Sequence, residues 1–280
     1  RGAVDLDQLV DTGATFRIAS ESRWRAGPRV VAEAEELDRT REQIYYRVLL
    51  VPPVWRMRHR RGCRTFVERT LKEIVSCVLE NRPYPGGEPA AGLLPMSGHE
   101  IEPPDAHPTW DDVMEPHGRY VWRVGEDRRI THEALHAFVA QYNESDLDFV
   151  ARLLEHEGIT YWFEHAKDSV VMVLTDAPGQ DPLHETDRSV TLRSGGAAGA
   201  HRQQELVRWL KNTRRMRSRS VTMREYDYRR STRVFDGRTA GPDASDQAFG
   251  HFEFPAKDER LEGDLGVFQS RMRLERFEVE

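Results

Sequence analysis

The sharpest chemical pattern in this sequence is His132-Glu133-Ala134-Leu135-His136. On a helix, two histidines one turn apart bind zinc and the glutamate between them activates water. Glu157 is the candidate third ligand, and together the four residues would make a zinc metallopeptidase centre. The context works against it, because the following Ala137 to Tyr142 run is β-prone. On a strand His132 and His136 share a face but stand about 13 Å apart, too far for one metal. A second candidate is the run Arg208 to Arg233, with ten Lys and Arg. Arg215, Arg217 and Arg219 alternate and would form one basic face on a strand. An oligonucleotide-binding β module would need aromatics interleaved for stacking. Tyr226 and Tyr228 are near, but Glu225 and Asp227 stand among them, so a charge-protected edge strand is the better reading. Trp55 to Arg64 is read the same way. There is no Gly-rich phosphate loop, no nucleophile elbow and no Cys/His pair in a suggestive setting.

These residues need elements to position them. In "QYNESDLDFVARLLEHEGITYWFEH", Gln141 to His165, Ser145 and Asp148 have the spacing of a capping box. Leu147, Val150, Leu153 and Leu154 form an apolar stripe at helical spacing. Gly158 is placed to stop the helix, and Ile159 to His165 alternates as a strand should. Ala166-Lys167-Asp168 is a turn, and Ser169 to Leu174 is a second strand. Asp146, Asp148 and Glu155 are read as solvated acids.

Elsewhere Ala14 to Ala19, Arg29 to Ala34, Gln43 to Val51 and Tyr120 to Val124 are strand-like. Pro52-Pro53 interrupts the ladder, and "VWRM" resumes it. Thr65 to Leu79 carries apolar residues at helical spacing and is expected to be an amphipathic helix. Asn81 to Gly118 holds eight of the fifteen prolines and is expected to be a long irregular excursion. "SGGAAGA" is a flexible loop by composition. Past Val207, "SVTMREYDY", "GHFEFP" and "RMRLERFEVE" read as strands.

Composition excludes several classes. The 280 residues suffice for one large or two medium domains. A formal net charge of −6 gives no global reason to bind nucleic acid or an anionic membrane. Cys63 and Cys77 are too few for a disulfide framework and fit no zinc or redox spacing. No stretch is long and apolar enough for a membrane span, and no signal peptide is visible. A chain opening on Arg1 and closing on charged sequence reads as a piece of something longer.

The helix–strand run Gln141 to His165, followed by "SVVMVLTDAP", resembles the signature of the VgrG family, the spike proteins of type VI secretion related to phage baseplate hubs. "YYRVLLVPPVWRMRHRRGCRTF", "LKEIVSCVL", "SVTMREYDYRR" and "HFEFP" resemble further family segments in the same order. The resemblance implies a mainly β fold with a few helices (α+β). It would hold two tube-protein-like antiparallel β-barrels joined by helix-containing segments. The expected division is 1–60 for a first, N-terminally truncated barrel and 61–165 for a connecting region with a long loop at 81–118. Residues 166–280 would form the second barrel and the approach to a needle domain. The implied role is that of a homotrimeric hub joining an Hcp-type tube hexamer to a needle. A PAAR-type tip protein and effectors would attach through the absent C-terminal region, alongside baseplate proteins and no nucleic acid. Assembly in the cytoplasm followed by secretion or injection is implied. The resemblance also implies no catalytic, cofactor-binding or metal-binding residues in this region.

Overall fold

The computed structural model describes residues 4–20, 23–41, 43–81, 94–95, 117–125, 130–131, 135–165, 169–177, 191–192, 206–207, 210–213, 215–226, 231–232, 235–241, 249–254 and 264–279. A short helix α1 (Leu6–Leu9) precedes strands β1 (Gly13–Ser20), β2 (Arg23–Arg39) and β3 (Ile44–Val51). A 3₁₀ helix, Pro53–His59, leads to β4 (Arg61–Thr70) and α2 (Leu71–Leu79). Then come β5 (Leu94–Pro95), β6 (His117–Arg123), β7 (Leu135–Ser145), α3 (Asp146–His156), β8 (Thr160–His165) and β9 (Ser169–Thr175). The rest comprises β10 (Thr191–Leu192), β11 (Leu206–Val207), β12 (Ser220–Glu225), β13 (Phe235–Ala240), β14 (Gly250–Glu253) and α4 (Asp264–Val279).

The chain is mainly β with a few helices, as expected. Its described strands form open sheets ordered β1-β2-β3, β4-β7, β5-β6-β9-β8, β13-β12-β14 and β10-β11. None of these closes into a barrel. They are also mixed rather than purely antiparallel, since β6 pairs with β9, and β12 with β14, in parallel.

The main core lies where α2 and α3 meet the inner face of the β4–β7 ribbon and the β6–β9 sheet. Ile74, Val75 and Val78 of α2 and Phe149, Val150 and Leu154 of α3 are fully or almost fully buried there. Phe66 of β4 stacks on Phe149 with centroids 5.9 Å apart. Period-two alternation puts Phe66, Val139 and Gln141 inward, while their neighbours Val67, Phe138 and Tyr142 face solvent. A smaller core joins Val221 and Met223 of β12 to Leu274 of α4.

Three sequence expectations are corrected. The helix placed over Thr65 to Leu79 begins only at Leu71, because Thr70 is its N-cap. Thr70 Oγ1 accepts from Glu73 N at 3.2 Å, and Glu73 returns to Thr70 N at 2.8 Å. That reciprocal box fixes the start and leaves Thr65 to Thr70 as strand. "VWRM" is a 3₁₀ turn rather than a resumed strand, since Trp55 N donates to Pro52 O, closing a turn on the prolines. "RMRLERFEVE" lies largely in α4 rather than in a strand. Arg271 and Glu275 pair at helical spacing, 2.8 Å apart, and Met, Arg, Leu and Glu are good helix formers. Within Asn81 to Gly118, Leu94–Pro95 pairs with β6. The turn at 166–168 and the loop at 194–200 lie outside the described residues.

The burial of α3 sets a quantitative expectation. Leu154→Ala should cost about 2–5 kcal/mol, the range for a core leucine whose site collapses only partly. Glu155 is exposed and pairs with Arg276 at 2.9 Å, so Glu155→Ala should cost ~1 kcal/mol or less. Urea unfolding of both variants checks the contrast. A Leu154→Ala cost below that of Glu155→Ala would contradict the packing described.

Candidate functional site

The residues that organise this molecule converge on the two ends of α3. At its N-terminus Ser145 caps the helix, its Oγ accepting from Asp148 N at 3.1 Å. The next residue, Asp146, is wholly buried. Arg64 grips its carboxylate twice, Nη1 to Oδ1 at 3.0 Å and Nη2 to Oδ2 at 3.3 Å. Gln141 Nε2 donates to Oδ1 at 2.8 Å, and Arg60 Nε lies 3.2 Å from Oδ2. Asp146 N in turn donates to Arg60 O at 2.8 Å. Burial lowers the pKa of the Arg60 guanidinium, and the charge of Asp146 opposes that shift. The arrangement holds a full negative charge away from water between two arginines that remain only partly exposed. This corrects the expectation that Asp146 is solvated. The physical reason is register: β4 and β7 pair antiparallel with Arg64 opposite Gln141, so both side chains point inward beneath the start of α3.

At the other end Glu157 is the C-cap residue of α3 and is buried. Its Oε1 lies 3.8 Å from His136 Nε2 on β7 and 3.5 Å from His156 Nδ1. Gln269 of α4 donates to Oε2 at 3.4 Å. The structure therefore brings together His136 and Glu157 of the candidate metal set. His132 and Glu133 lie outside the described residues. From Leu135 onward the segment is strand, as expected, so His136 does not sit on the helix that the zinc motif requires. Among the described residues no group of three or more His, Cys, Asp or Glu is arranged to hold a metal ion.

The basic run is not a face on a strand. β12 begins at Ser220, and Arg215, Arg217 and Arg219 are exposed on a segment with no helix or strand of its own. Arg208, Arg214, Tyr228, Arg229, Arg230 and Arg233 lie outside the described residues. Trp55 to Arg64 is an internal brace. Arg58 lies over the Trp55 ring at 4.3 Å, Arg56 Nε donates to Asp11 Oδ1 at 2.6 Å, and Arg60 and Arg64 hold Asp146. Cys77 packs against the core and Cys63 is exposed. Sequence reasoning missed the Asp146 network. Its one available sign was Gln141, a polar residue sharing strand parity with the inward Val139.

A second charged contact ties β2 to β8. Arg29 Nη1 and Nη2 lie 3.0 and 2.9 Å from the two ring nitrogens of His165. A neutral imidazole has one acceptor nitrogen, so only one of these is a hydrogen bond. Burial first, and the Arg29 charge second, lower the pKa of His165 to about 4.

With this geometry in place, comparison with known proteins defines the class. A family model described as phage tail baseplate hub (GPD) matches residues 1–90 and 111–280. The chain belongs to this baseplate hub family. It is similar to type VI secretion system spike protein VgrG1c of Pseudomonas aeruginosa, at 27% identity over 144 residues, 51% of this chain and 19% of that protein. It is similar to VgrG4b of the same organism at 23% identity over 278 residues, 99% of this chain and 29% of that protein. The VgrG resemblance of the signature run is thus shared by almost the whole chain, which spans under a third of either relative's length. Among solved structures, the E. coli c3393 protein matches with a TM-score of 0.44 and 20% identity, over 69% of this chain and 41% of that chain. It is described as a type VI secretion component with structural similarity to T4 bacteriophage tail proteins gp27 and gp5. No helix among the described residues is long and apolar enough to cross a membrane.

Two outcomes follow from the electrostatics. Asp146→Ala should destabilise the chain by about 3 kcal/mol, because it strands two half-buried arginines and Gln141 without their acceptor. Asp148→Ala, which loses only a contact to its cap residue, should cost ~1 kcal/mol or less; equal losses in denaturant titrations would show that the network is not special. His165 supplies the pH dependence. Its folded pKa is depressed below the ordinary value of about 6.5, so the folded state binds fewer protons than the unfolded chain. That stabilisation is whole above pH ~6.5 and is lost as pH falls toward 4. His165→Gln should shallow the loss of stability between pH 7 and pH 5, measured by urea midpoints, and an unchanged slope would contradict the assignment.

Proposed function

We infer that this chain is the hub portion of a spike component of type VI secretion, a structural part of a contractile injection machine. The observation that carries this reading is the baseplate hub family match across 1–90 and 111–280. The collinear similarity to spike proteins supports it. In this reading three copies assemble, and the trimer joins an Hcp-type hexameric tube to a membrane-puncturing needle. The needle presents a PAAR-type tip protein and effectors, and the hub seats on baseplate proteins. Assembly takes place in the cytoplasm, and the machine then expels the spike. The hub works by rigidity and carries no catalytic step of its own. The buried, fully partnered Asp146 fits that role better than a reactive one, since its carboxylate is saturated by fixed donors.

The division into a first tube-like unit at 1–60, a connecting region at 61–165 and a second unit at 166–280 belongs to the same proposal. The separate β1-β2-β3 and β13-β12-β14 sheets support its first and last units, while β9 pairs with β6 and β8 and so goes with the connecting region. A polar hub contact converts area into affinity poorly, so the 280-residue chain should be monomeric or weakly trimeric at low micromolar concentration. A version continuing into a needle should be a stable trimer. Light scattering on both decides, and a stable dimer, or a needle-bearing chain that stays monomeric, would sink the hub reading.

A further inference from the structure

β2 is seventeen residues long, but β1 covers only part of it. The β1 ladder runs from Ser20↔Arg23 to Gly13↔Val30. It ends with Asp11 N donating to Val31 O and Val31 N donating to Thr12 O. Beyond that point, among the described residues, 32–39 pair only with β3. One edge of this arm therefore carries no described strand, and every residue along it has an N–H because none is proline. Direct cross-strand partners share a face. Glu33, Glu35 and Asp38 therefore lie on one face with Leu49, Arg47 and Tyr45, and Ala34 lies on the other with Val48. Tyr45, Val48, Leu49 and Leu37 are all exposed. A two-stranded arm with apolar groups on its surface is marginal by itself.

Residues 210–218, "LKNTRRMRS", have the opposite character. They carry four bases and no acid. The described part has no helix or strand, and none of the backbone hydrogen bonds among the described residues involves it. Leu210 and Met216 are 77% and 86% exposed. On a strand, Lys211, Arg215 and Arg217 would take one face and Leu210, Arg214 and Met216 the other. Laid along that edge of β2, the strand would put bases beside Glu33, Glu35 and Asp38, and Leu210, Arg214 and Met216 on the side of Ala34, Glu36 and Val48.

We propose that copies of this chain join by strand addition, with residues 210–218 of one copy pairing along that β2 edge, residues 32–39, of the next. The proposal rests on the hub reading and names the surface by which copies meet. An acidic edge repels a second acidic edge, and a basic segment repels its own kind, so each rejects itself and selects the other. The principal contacts of β2 are with β1, β3, α1, β8 and β9, whereas β12 packs chiefly on its own sheet and α4. That separation in one chain favours a partner copy as the donor. The joint uses two different surfaces, so it is head-to-tail and closes into a ring when the rotation permits.

Charge reversal tests it through the mass of the chain at high micromolar concentration, by sedimentation. Glu33→Lys with Asp38→Lys should weaken self-association about tenfold or more, and Lys211→Glu with Arg215→Glu should do the same. Mixing the two doubly substituted chains should restore association, since each then offers what the other lacks. Added salt should weaken the wild-type assembly. Circular dichroism shows that each variant is folded before its mass is read. Unchanged association in either variant, loss with no recovery on mixing, or a wild-type chain that never associates would overturn the strand-addition joint. The first two results leave the hub reading intact, because that reading is tested by the trimer of the needle-bearing chain.

Discussion

The fold depends on one buried charge. Asp146 opens α3 from inside the protein, and its carboxylate is the point where a 3₁₀ turn, two strands and a helix are tied together. Removing a carboxylate from water costs several kcal/mol, and attraction to a cation recovers this only when the geometry is good and the remaining lone pairs are filled. Here a bidentate arginine and an amide donate to them, and a second arginine adds its charge at ion-pair distance. The result is better understood as a device for register than as a source of net stability. Sliding β4 by one residue against β7 would turn Arg64 outward and leave Asp146 buried without its bidentate partner. The correct pairing is therefore separated from its nearest competitor by the cost of a poorly compensated ion.

The far end of α3 performs a different task with the same economy of residues. Gly158 turns the chain at a φ of +67°, a conformation that penalises any other residue, and a Cβ there would strike the Met272 side chain of α4. Glu157 meets Gln269, and Glu155 meets Arg276, so two polar contacts seat α4 against the end of α3. On its other side α4 lies so close to β13 that Gly237 and Gly266 touch backbone to backbone. A helix with little apolar asymmetry of its own is thus placed by glycine contacts and polar seats. α3, part of the main core, thereby abuts the helix that closes the smaller one.

This explains what was legible in the sequence. The signature run was readable because its information is local: Ser145 and Asp148 start the helix, Phe149 to Leu154 carry its stripe, and Gly158 ends it. The start of α2 was also written locally, in Thr70 and Glu73, but the apolar periodicity running back to Phe66 obscured it. Phe66 and Val67 suit a strand as well as a helix, and pairing with β7 decided between them. The arginine partners of Asp146 were not legible, because they stand about eighty residues away and meet it only through strand register. α4 was missed for a related reason. Its alternating Arg, Leu, Glu and Phe residues mimic a strand at period two, and only packing against β12 and β13 selects the helical spacing.

The same distinction separates architecture from chemistry at the two histidine sites. His136 stands beside Glu157, yet it is held on strand β7 and not on the helix that the zinc motif requires. His165 is buried against a guanidinium; burial first and that charge second favour its neutral form and leave it as a packing and hydrogen-bonding group at neutral pH. In both places a residue type associated with catalysis is fixed by a charged neighbour that also joins elements distant in sequence. Internally, then, the charges are spent on holding register. Exposed charge gathers on the edge of β2 and on the basic segment before β12, where it lies beside exposed backbone.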